Sequence, residues 1–157
     1  MAGNIVDLNY RSVALVATTL KTVIGAQAAT NVALKLLEAA ASFDGATSTN
    51  APAVVDFSRC TFATNAPGTA STAITEANTK RDPGRAETPT FTSAHTWTTE
   101  PTALTVQHSK DIGQFNGLYH YINPFSSPHI IVGGQGFVIS MTSPNNVNCS
   151  GHLTVEE

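Results

Sequence analysis

The chain predicts an all-β fold, an antiparallel β-sandwich of about eight or nine short strands, and three observations predict it. Short segments alternate apolar with polar residues and are rich in Val, Ile, Phe, Thr and Trp. That is the pattern of a pleated surface with one wet and one dry face. Gly, Pro, Asn and Asp punctuate these segments at roughly ten-residue intervals, the spacing of sandwich turns. Only 12% of the residues are charged, about half the usual ~25%. Thr, Ser and Asn take the place of charge, which leaves exteriors that can pack against other protein without burying ions.

With 157 residues, 41% of them apolar, the chain is long enough for one domain that buries roughly two thirds of its unfolded surface. Residues 1–11 read as an extended arm with few apolar anchors, and residues 12–157 as the domain. Residues 12–24 supply one or two strands ending at Gly25, followed by a turn over 26–31. Residues 32–43 are ambiguous. Their Ala, Leu, Lys and Glu content favours a helix, with Asn31 as cap and Lys35 able to pair with Glu38. The segment nevertheless closes on Phe43-Asp-Gly45, a turn signal between strands, and has strands on both sides, so it is read as a strand.

Residues 54–62 form the next strand, with Val55 and Phe57 on one face and Asp56 and Ser58 on the other. From 64 to 87 the only large apolar residue is Ile74. Asn65-Ala-Pro-Gly68 and Asp82-Pro-Gly84 are turn signals within this loop, and excursions of such length usually carry function or a partner contact. Strands follow at 88–97 and 103–107. Residues 115–125 are the most aromatic stretch, interrupted by Pro124, with Pro128 just beyond. Gly133 and Gly134 lead into a strand at 136–142, residues 143–146 turn, and 147–155 close the fold.

The chemistry-bearing residues do not assemble into a site. A net charge of −3 with eight dispersed Lys and Arg, clustered only at Lys80, Arg81 and Arg85, argues against a nucleic-acid partner. No basic and apolar leader opens the chain, and no stretch is long and apolar enough to span a bilayer, so synthesis in the cytoplasm without a membrane partner is expected. Cys60 and Cys149 fall in strands; a bridge is open to them if those strands are neighbours, but buried free thiols are the reading a reducing compartment favours. The five histidines lack His-x-x-x-His spacing, and neither a metal nor another cofactor is expected. His120, between Tyr119 and Tyr121, belongs on a sheet face or in a subunit interface. The cysteines lack a nucleophile elbow, the carboxylates lie mostly in loops, and Gly133-Gly-Gln-Gly136 precedes no helix. A non-enzymatic role is expected. Trp97 with the aromatics of 115–125 could stack a sugar, although ordinary core is the plainer reading.

Five strings carry a resemblance: Asn9-Tyr-Arg-Ser-Val-Ala-Leu-Val16, Asn31-Val-Ala-Leu-Lys-Leu-Leu-Glu38 with Ser42-Phe-Asp-Gly45, Thr61-Phe-Ala-Thr-Asn-Ala-Pro-Gly-Thr69 and Thr96-Trp-Thr-Thr-Glu-Pro-Thr102. Through them the chain resembles small structural proteins of tailed bacteriophages, in the broad class of capsid decoration proteins. Residues 114–136 depart most from that pattern. The resemblance implies a jelly roll on the capsid surface of a virion, a homotrimer, and the major capsid protein as partner. The contact residues expected are Asn4, Leu8 and Tyr10 on the arm, Ile74, Arg81 and Arg85 on the long loop, and Tyr119 and Tyr121 in the aromatic stretch. The alternative is a receptor- or carbohydrate-binding module at a virion surface, a head fibre or lectin-like jelly roll.

Overall fold

A computed structural model describes residues 3–45, 47, 49–76, 79–82, 84, 86–115, 117–124 and 129–157. Its eleven strands are β1 (Ile5–Leu15), β2 (Leu20–Gln27), β3 (Leu34–Phe43), β4 (Ala53–Cys60), β5 (Thr72–Ile74), β6 (Thr92–His95), β7 (Leu104–Ile112), β8 (Leu118–Ile122), β9 (Ile130–Ile131), β10 (Gly136–Thr142) and β11 (Val147–Glu156). The sandwich predicted from alternation is therefore present. The strands it did not foresee, β5 and β9, are three and two residues long, too short to show a period.

One sheet runs β1-β11-β3-β8, with β9 pairing β3 beside β8; the other runs β5-β6-β2-β10-β4-β7. The antiparallel partners are β1 with β11, β2 with β10, β3 with β8 and β4 with β7. The early strands thus pair with the late ones in reverse order. This is one long antiparallel ribbon wrapped into two facing sheets, which is the jelly-roll topology.

Burial follows the pleat. Phe57, Phe137, Ile139 and Met141 face Leu8, Leu36, Leu153 and Val155 across the interior, and all are fully buried. Each such side chain contributes about 1.5–3 kcal/mol relative to exposure. A smaller cluster of Cys60, Phe62, Ala94, Trp97 and Val138 covers the other face of β10. That is why β10 is buried along nearly its whole length. Trp97 donates its indole N–H to the Asn65 carbonyl at 2.8 Å and is core, as the plainer reading had it. Cys60 and Cys149 are buried free thiols in different sheets.

Two expectations meet the structure differently. Residues 32–43 settle as a strand: β3 is paired by β11 on one side and by β8 and β9 on the other. These three ladders override weak helical propensity here, since the flanking strands satisfy the backbone that a helix would satisfy internally. The arm at 1–11 is a correction. Residues 5–11 belong to β1, with Val6 and Leu8 fully buried and Tyr10 nearly so. Three apolar residues at every second position form a buried face, however few they are.

The long loop also proves anchored at two points. Thr72–Ile74 pairs with β6. Then the Asp7 N–H donates to the Thr79 carbonyl at 3.0 Å and the Arg81 N–H to the Ile5 carbonyl at 2.9 Å, with a bridge between Val6 and Lys80. This strap covers the edge of β1. At the opposite flank, β7 and β8 end their sheets with no further strand beside them among the described residues.

Candidate functional site

Residues at that opposite flank are unusually apolar for a surface. Val106, Leu118, Ile122, Ile130 and Val132 are 46–65% exposed. All five lie on or beside β7, β8 and β9. The strand Leu118-Tyr-His-Tyr-Ile122 contains no charged residue and no proline. Its register on β3 sets Leu118, His120 and Ile122 outward and Tyr119 and Tyr121 toward the interior.

Aromatic rings close the gap between the two edge strands. Tyr121 stacks on Phe57 at 6.0 Å between centroids, and His108 of β7 lies 4.7 Å from Tyr121. His129 packs 5.7 Å from both Phe57 and His108. Burial first, then His108 and Arg59, hold the His129 imidazole below its ordinary pKa. The His129 ring is therefore favoured in this place while uncharged.

The outer face of the β1-β11-β3-β8 sheet carries a polar network. Cross-strand register puts His120 and His152 on either side of Ala40. Their Nε2 atoms lie 2.7 and 3.1 Å from the same Glu38 oxygen. Hydrogen bonding from His120 is the main reason the Glu38 carboxyl sits below its ordinary pKa. Beside it, Arg81 donates to Asp7 at 2.7 Å and the Thr154 hydroxyl to the other Asp7 oxygen at 2.7 Å. Burial alone would raise the Asp7 carboxyl, but these bonds outweigh it and lower it. Two adjoining cavities of about 170 and 340 Å³ are both bounded by Glu38 and Arg81. Leu37, Ile122 and Pro124 wall the first, and Asp7, Asn9 and His152 the second.

Of the contact residues expected from sequence, Asn4, Leu8, Tyr10 and Tyr119 are buried within the chain and cannot meet a partner of the folded domain. Asn4 exchanges backbone hydrogen bonds with Glu157, tying the two ends together. The Tyr10 hydroxyl is held protonated by burial, and the Tyr119 hydroxyl is pushed up to about 12 for the same reason. Ile74 is half-buried against the core. Arg81 is on the strap, half-exposed and paired with Asp7. Tyr121 belongs to the ring plug, and Arg85 lies outside the described residues. Trp97 and Tyr119 are buried and so take no part in an aromatic sugar platform, and Phe125 lies outside the described residues. Both thiols are held protonated by burial, Cys149 up to about 12.

Residues that sequence reasoning passed over are Leu118, Ile122, Ile130, Val132, Glu38 and His152. For the first two a signal existed, since a strand apolar on both faces and free of charge needs cover on both. His152 and Glu38 had none, being 114 positions apart until β11 pairs with β3.

No protein-family model matches the chain, and no curated protein does. Among solved structures it is similar to the crystal structure of Yersinia pseudotuberculosis-derived mitogen (YPM), at 12% identity over 97% of this chain and 86% of that one. The TM-score is 0.39, a likeness too slight to carry an inference about function.

Proposed function

We propose that this chain is a structural protein of a phage virion, of the capsid-decoration kind. In this reading it self-associates and seats on the outer surface of the head through the major capsid protein. One observation carries it: one flank of the jelly roll is sealed by the strap over β1, while at the other, among the described residues, no strand covers β7 or β8 and exposed aliphatic residues rim them. Soluble domains rarely leave such an edge open unless something covers it. The low charge of the remaining surface supports the same reading, because docking there desolvates few ions. Oligomers on a symmetric lattice also multiply weak contacts through effective concentration.

The test is co-sedimentation of the purified protein with emptied phage heads. Saturable binding at a fixed ratio to the capsid subunit is expected, and absence of the protein from the pelleted heads refutes the reading.

A receptor- or carbohydrate-binding role remains the second reading, moved from the aromatics to the groove between Glu38 and Arg81. Glycan-array binding that is lost in Arg81→Ala favours it over decoration.

A further inference from the structure

We propose that the open edge of β8 pairs with β8 of a second copy, antiparallel, about a two-fold axis at His120. This names the partner for the self-association proposed above and rests on that reading. Free edges in monomers are protected by Lys, Pro, bulges or a covering segment. The β1 edge has its strap and β5 is only three residues long. Strand β8 has neither charge nor proline, and among the described residues no segment pairs with its outer side.

The residue order selects the occupant. With the axis at His120, Leu118 of each copy faces Ile122 of the other, and Tyr119 faces Tyr121. Directly opposed residues share a sheet face, so both aliphatic pairs form on the outer face where these side chains are already exposed. Moving the axis by one residue sets Leu118 against His120 and loses both pairs. No charged residue meets its like. The two His120 side chains, opposite each other at the axis, each keep a Glu38 carboxylate 2.7 Å away. Ile130 beside the edge extends the apolar strip. A foreign chain would have to bring a matching uncharged strand, whereas a second copy brings it automatically through an isologous contact.

Two-fold closure gives two chains per particle, not the three that the phage resemblance implies. Light scattering of the full chain is expected to give the mass of a dimer, and Leu118→Lys that of a monomer that keeps the circular dichroism of the folded sheets, since Leu118 is exposed in the single chain. His120→Cys is expected to join into covalent dimers with a short thiol–thiol crosslinker. Asn9→Cys, on the same outer face at the sealed flank, should not. A monomeric or three-chain mass, or failure of His120→Cys to crosslink in a dimeric protein, overturns the pairing. Co-sedimentation with heads separates the two claims. A monomer that still binds heads sinks the pairing alone, and a crosslinked dimer that does not bind heads sinks the virion reading alone.

Discussion

Gly151 shows how single positions in this fold are constrained. A side-chain carbon there would lie 2.0 Å from the Ala40 carbonyl oxygen and 2.7 Å from the Tyr10 hydroxyl. Because the first obstacle is sheet backbone, Gly151→Ala should lose about 1–3 kcal/mol of stability, read from the urea midpoint. Ala103 poses the opposite case. It is exposed and sits at φ 62°, in the left-handed region that glycine adopts without strain. Ala103→Gly is expected to gain up to about 1 kcal/mol, and a loss would mean that the turn is not strained. Titratable residues add a pH dependence whose sign follows from their shifts. His95 and His129 are lowered by burial, so the stability of their neutral forms is present above the unfolded value near ~6.5 and lost as pH falls through it. Asp7, Glu38 and Glu156 are lowered, so theirs is present above the ordinary carboxyl range near ~4 and lost below it. Urea midpoints should therefore fall in two steps on acidification, and His129→Gln should shrink the first.

Several strands were legible from alternation, but the run at 88–97 is a strand only over Thr92–His95 and the one at 103–107 continues to Ile112. Val147–Glu156 and Gly136–Thr142 stand within a residue or so of where the pattern put them. What stayed hidden was set by partners distant in sequence. β3 carries helix-forming residues and is a strand because β11 and β8 hold it on both sides. β1 looked like an arm because its anchors are sparse, yet each of Val6, Leu8 and Tyr10 lands in the interior. This difference has a measurable consequence. Removing residues 1–9 deletes two fully buried aliphatic side chains, at about 1.5–3 kcal/mol each, and half of an edge-to-edge ladder, from a domain whose total stability is of the order of 5–15 kcal/mol. The truncated chain should be unfolded or aggregated by circular dichroism. A folded product with the native melting temperature would contradict the placement of β1.

At the scale of the molecule, the two flanks of the sandwich differ in kind. The strap of Thr79, Lys80 and Arg81 crosses from the β5 side to the edge of β1, while β7 and β8 face outward with aliphatic residues around them. The jelly-roll class was readable from alternation and resemblance together, but this asymmetry was not. It depends on which strands end up at the sheet margins, and that is decided by the reverse-order pairing of the whole ribbon. The measurement that bears most directly on it is amide hydrogen exchange of the full chain at two concentrations, one dilute and one well above it. The amides of Leu118–Ile122 should slow markedly at the higher concentration, while those of Ile5–Leu15 stay the same. Exchange in β8 that does not depend on concentration would contradict the account.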